Sequence, residues 1–139
     1  MVYRCGRGMR AALIFAVGAV GYPMLELIWR GETHVLMSLA GGVCLLAIYA
    51  ISRLPRRLTL PAKALFGAAV ITSVELAIGL VANRGLGMDI WDYSHLPLNF
   101  MGQICLLFSV VWFLLCLMLL PLCSRLRASF DSAERQSWT

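Results

Sequence analysis

The sequence predicts an all-α integral membrane protein of four transmembrane helices, arranged as two parallel helical-hairpin repeats. Three observations carry that reading. Of 139 residues, 60% are hydrophobic and only 14% are charged, whereas a soluble domain averages about 25% charged residues. Four apolar runs, 10–29, 35–51, 62–82 and 100–122, have the length of helices that cross a bilayer, roughly 17–25 residues. The basic residues, finally, are clustered between those runs in a way that orients them.

Arg4, Arg7 and Arg10 precede the first run, Arg53, Arg56, Arg57 and Lys63 link the second to the third, and Arg125 and Arg127 follow the fourth. The other two loops hold Arg30 and Arg84, offset by Glu32, Asp89 and Asp92. The positive-inside rule then puts both termini in the cytoplasm. The net charge of +5 serves orientation and contact with lipid headgroups rather than nucleic acid. No hydrophilic stretch is long enough for a core of its own, so 1–139 reads as one transmembrane domain with a polar, frayed cytoplasmic tail over 123–139. Val17-Gly18-Ala19 imitates a signal-peptide cleavage site, but the apolar run continues past Ala19 and is expected to stay as the first helix.

Five cysteines are an odd count. Cys44, Cys105 and Cys116 lie inside apolar runs, and Cys5 and Cys123 at cytoplasmic edges, which argues against a disulfide framework. No CxxC or Cys/His spacing of the zinc type occurs, and neither a cofactor nor a metal site is expected.

In the first helix Gly18, Tyr22, Glu26 and Arg30 share a face, and Pro23 frees the carbonyl of Ala19, predicting a bend there. Arg30 is the expected counter-ion, to Glu26 four residues before it or to Glu75 across the bundle. The short turn GETH makes the first two helices an antiparallel hairpin. His34 begins the second helix as a titrating group or an interface residue, with Ser38 and Gly41 or Gly42 along the same side. Pro61 suits the first turn of the third helix.

The third helix carries Ala68, Thr72, Glu75, Gly79 and Asn83 on one face. At 1.5 Å per residue Glu75 lies about 18 Å beyond Lys63, more than halfway across, where an unpaired carboxylate must find a partner or a proton. It is the strongest single candidate. The third loop, 83–99, places Trp91 and Tyr93 where an interface belt would be, yet a belt does not explain Asp92 between them. The fourth helix is expected to open with Asn99 and Gln103 one turn apart. Placing VGYPMLELIWRG over ITSVELAIGLVANRG and AGGVCLL over MGQICLL aligns Glu26 with Glu75, Gly41 or Gly42 with Gly102, and Cys44 with Cys105. Such repeats run parallel, about an axis along the membrane normal. Glu26, Arg30, His34, Glu75, Asn83, Asp92, Asn99 and Gln103 thus converge on one leaflet as a polar pocket, with Trp91 and Tyr93 beside it.

The order Glu, WRG, His, Glu, WDYS, Asn and GQ in ELIWRGETHVLMSLAGG and ITSVELAIGLVANRGLGMDIWDYSHLPLNFMGQICLLFSVVW resembles the small bacterial membrane proteins of the CmpB type, named as ABC-transporter permeases. The matching positions are Glu26, Trp29, Arg30, Gly31, His34, Glu75, Asn83, Trp91, Asp92, Tyr93, Asn99 and Gln103. The resemblance implies a multi-pass protein of the bacterial inner membrane and a transport role. No Walker A loop is present, so an ABC function needs a separate ATPase, and a homo-oligomer or partner subunit would complete the pathway among membrane lipids. The polar residues alone fit equally a membrane enzyme acting on a lipid or lipid-linked substrate at the outer leaflet, with His34, Glu75 or Asp92 as general acid or base. A structural or assembly subunit is the third class. The resemblance ranks transport first.

Overall fold

The computed structural model describes residues 6–136, so Arg4 and Cys5 lie outside the described residues. The helices are α1 (Arg7–Arg30), α2 (Val35–Ile51), α3 (Leu60–Ile78) and α4 (Leu106–Gln136). A π-helical segment, Gly79–Gly85, continues α3, and two short strands, β1 (Asn99–Phe100) and β2 (Ile104–Cys105), pair antiparallel with Asn99 opposite Cys105. Three helical stretches, Arg7–Arg30, Leu60–Gly85 and Leu106–Ala133, are long and apolar enough to cross a membrane. The 17 residues of α2 sit at the short end of the crossing range.

Local chemistry sets the boundaries. Gly31 stops α1 in the left-handed conformation, φ 76°, its N–H reaching the Leu27 carbonyl at 3.0 Å, as glycine does at helix ends. His34 caps α2, its Nδ1 accepting from the Leu36 N–H at 3.2 Å. Thr59 caps α3 ahead of Pro61, a residue that costs nothing in a first turn.

Helices α1 and α2 pack backbone to backbone, because Gly18 and Gly41 face each other with no side chain between them. In the second hairpin Gly67 of α3 lies against the Cys116 Sγ of α4. The two hairpins close on a core that includes Ile14, Ile48, Ala64, Ile71, Trp112 and Leu120. Outside it Val17, Ile28, Leu65 and Met118 stand exposed, an apolar exterior suited to lipid rather than water.

The start of α1 and the end of α4 lie at one end of the bundle. There the Arg10 Nη1 donates to Asp131 Oδ1 at 2.9 Å, the Arg127 Nη1 to the Ser52 carbonyl at 3.2 Å, and the Lys63 Nζ to the Leu54 carbonyl at 2.8 Å. At the opposite, loop end, Arg30 Nη1 reaches the Ile90 carbonyl at 3.2 Å, joining the first loop to the third.

The structure departs from the sequence reading in three places. The fourth helix starts at Leu106, not near 100, because Leu98, Met101 and Gly102 take positive φ (55°, 55° and 70°), which no right-handed helix accommodates. Asn99 and Gln103 therefore belong to a strand and a turn. The segment after 122 is not a frayed tail: α4 continues to Gln136, held down by the Asp131 and Arg127 contacts. The proposed local equivalence of AGGVCLL and MGQICLL also fails, the first being helical throughout and the second a turn, a strand and only then the first two residues of α4.

Candidate functional site

Two adjoining cavities of about 340 and 380 Å³ open between the hairpins, sharing Tyr22, Met37, Glu75, Trp91 and Trp112 among their walls. One extends toward Gly18, Cys44 and Leu119. The other extends to Glu26, Arg30, Tyr93 and Phe108 at the loop end.

Glu75 is the charged residue the cavities have in common, and it is buried, 8% exposed. Its Oε2 accepts from Trp112 Nε1 at 2.8 Å and its Oε1 from the Tyr93 hydroxyl at 3.2 Å. The geometry follows from helix handedness. Side chains lean toward the N-terminus of their own helix, so in an antiparallel pair Glu75 on α3 and Trp112 on α4 lean toward one another. Thr72 and Ser109, whose hydroxyls meet at 3.1 Å, fix the register that lets them touch. Among the described residues no salt bridge reaches Glu75. Arg30 turns instead to Glu26, Nη2 to Oε1 at 2.9 Å, and Thr33 donates to the other oxygen of Glu26 at 2.7 Å.

The loop end is closed by a second network. The π-helical widening after Ile78 carries Asn83 inward, and Gly79 leaves bare the space that the Gln103 side-chain oxygen fills. Asn83 Nδ2 donates to Gln103 Oε1 and to the Trp91 carbonyl, both at 2.9 Å, while its Oδ1 accepts from the Ile90 N–H at 2.8 Å. Trp91 Nε1 donates to the Gln103 carbonyl at 2.9 Å. The side-chain polar atoms of Asn83, Trp91 and Gln103 all have partners, as burial requires, and the indole of Trp91 is left bordering the cavity.

The remaining candidates stand elsewhere. His34 is spent on capping α2. Asn99 holds the turn before α4, donating to the Leu96 carbonyl at 2.7 Å and accepting from the Gly102 N–H at 3.1 Å. Asp92 accepts from the Ser94 hydroxyl at 2.7 Å and the Ser94 N–H at 2.8 Å. The ten sequence candidates therefore divide: Glu26, Arg30, Glu75, Trp91 and Tyr93 line the cavities, Asn83 and Gln103 brace the plug, and His34, Asp92 and Asn99 serve the backbone. Sequence reasoning put Tyr22 on the face of Glu26 without counting it in the pocket, and passed over Phe108 and Trp112. The signal was there in Trp112, an indole N–H placed in mid-span instead of at an interface, where it needs an acceptor.

Asp92 gives a direct check on the loop. The Ser94 hydroxyl, then the Ser94 N–H, hold its carboxyl below the usual aspartate range. A lowered folded value means that the contact adds stability above the unfolded value, near 3.9, and loses it as pH falls through the folded value. NMR titration should find Asp92 below the aspartate norm, and Ser94→Ala should return it upward; an unmoved value would contradict the assigned cause.

Residues 13–138, which include the cavities, the plug and nearly all of the four helices, match the family described as "Putative ABC-transporter type IV". The chain belongs to this family. With its long apolar helices, this member of the ABC-transporter type IV family is a membrane protein. Neither a curated protein nor a solved structure matches it.

Proposed function

We propose that this protein is the membrane-embedded subunit of a transport system in a bacterial inner membrane, with both termini cytoplasmic, and that its substrate enters the cavity from the loop end. The observation that carries the reading is Glu75: a buried carboxylate held by two neutral donors at the wall of a cavity large enough for a small molecule. Ionisable groups inside spans cost at least about 2.5–3.5 kcal/mol on insertion scales and tend to mark substrate or ion pathways. Energy from ATP would come from another subunit, since no P-loop sequence occurs in this chain. Of the three acid–base candidates for a catalytic role, Glu75 alone borders the cavities, while His34 Nδ1 caps α2 and Asp92 is bonded to Ser94.

The test compares lipids and metabolites of cells with and without the gene, complemented by wild-type, Glu75→Gln or Glu75→Leu protein. Wild-type protein is expected to restore the difference, and both variants to lose it at unchanged membrane abundance. Full complementation by Glu75→Leu would mean that the carboxylate is dispensable and overturn the reading.

A further inference from the structure

We infer that the cavity takes an organic cation, a lipophilic amine or quaternary ammonium compound; the inference rests on the transport reading and specifies its substrate class. Three features of the site point the same way. The first is charge. Glu26, Arg30 and Glu75 are the charged residues lining the two cavities, and Arg30 is already paired with Glu26 at 2.9 Å. With the carboxylates ionised, one negative charge is left over, and it sits at Glu75 among neutral donors.

The second is the aromatic lining. Tyr22, Trp29, Trp91, Tyr93, Phe108 and Trp112 border the cavities, and four of them form a continuous strip. Tyr93 stacks on Phe108 at 4.7 Å, Phe108 meets Trp112 at 6.3 Å, and Trp112 meets Tyr22 at 5.9 Å. Two rings of this strip also hold Glu75 through their N–H and O–H. Aromatic walls beside a carboxylate recognise cations that carry hydrocarbon, because ring quadrupoles attract the charge while apolar contact favours the substituents.

The third is what the walls lack. The rest of the lining is aliphatic, from Val17, Leu25, Met37, Ile71 and Leu115, and offers no shell of oxygens. A hard metal ion needs about six oxygen ligands, and among the described residues no group of His, Cys, Asp and Glu is placed to hold a metal. An anion would meet the unpaired carboxylate. A neutral lipid would leave it without a counter-charge. An organic cation satisfies both the charge and the hydrocarbon surface.

The experiment uses two probes of the same shape and opposite charge, tetraphenylphosphonium and tetraphenylborate, on the purified full chain in detergent. Trp91 and Trp112 border the cavity, so tryptophan fluorescence reads its occupancy. Saturable quenching by tetraphenylphosphonium is expected, with none by tetraphenylborate. Glu75→Gln should weaken tetraphenylphosphonium binding about tenfold or more, the effect of losing one poorly screened charge. Equal saturation by both probes, or no saturation by the cation, overturns the assignment. So does undiminished binding by a folded Glu75→Gln protein. The paired probes on wild-type protein decide the matter even where Glu75→Gln fails to fold. The transport reading stands or falls separately, on the cell comparison, which uses neither probe.

Discussion

Gly41→Val is expected to prevent assembly of the α1–α2 hairpin, with membrane abundance falling to background. A Cβ at Gly41 would meet the Gly18 carbonyl oxygen and lie 2.5 Å from Tyr22 Cβ, and one at Gly18 would meet the Gly41 carbonyl oxygen. The obstruction is backbone, which cannot rotate away as a side chain can. Overpacking a core typically costs about 1–3 kcal/mol, and a two-sided backbone contact belongs at or above the upper end. Gly21→Ala on α1, the helix of Gly18, is the control, since nothing lies within 4 Å of a Cβ there, and its alanine should be neutral or mildly stabilising. Abundance and thermal unfolding in detergent measure both. A Gly41→Val protein that accumulates and melts like wild type would show that the helices do not meet at this contact.

Asn83→Ala should carry the second-largest effect, and its mark should be local. The substitution strands the Ile90 N–H, the Trp91 carbonyl and the Gln103 side-chain oxygen. Each buried orphan costs about 1–3 kcal/mol, though within one network the costs do not add simply. The plug is then expected to open while the helices hold. Trp91, only 7% exposed, should gain solvent, seen as a red-shifted tryptophan emission and as proteolysis within 86–98. Emission and digestion identical to wild type would refute the network as the latch of the loop end.

Much of this architecture was legible in the chain because a bilayer enforces it. Apolar runs of membrane length can only be helices, and spacing by three and four put Gly18, Tyr22, Glu26 and Arg30 on one face of α1, where they border the space between the hairpins. The same rule placed Ala68, Thr72, Glu75, Gly79 and Asn83 on one side of α3, and all face inward or meet α4. Periodicity says nothing about chain reversal, however. The segment 86–105 is built from positive φ at Asp89, Leu98 and Met101, positions that do not advertise themselves as glycines do, so a two-strand turn was read as the first turn of a helix. Trp112 was missed for a different reason. An antiparallel neighbour that leans toward Glu75 is invisible until the register of α3 on α4 is known, and that register is set by the meeting of Thr72 and Ser109. The polar residues of the loops were read as one pocket because all shared a height, yet height does not fix direction, and half of them spend their hydrogen bonds within the loop end itself.

The two partners of the Glu75 carboxyl are unlike in what they can do. An indole N–H donates and never accepts, so Trp112 can only offer its hydrogen to Oε2. The Tyr93 phenol both donates and accepts, so it can turn its hydrogen away from Oε1 and take one instead. A change of charge at Glu75 is thus met by rotation of one hydroxyl at the loop end, while the Trp112 contact serves either state by donation alone.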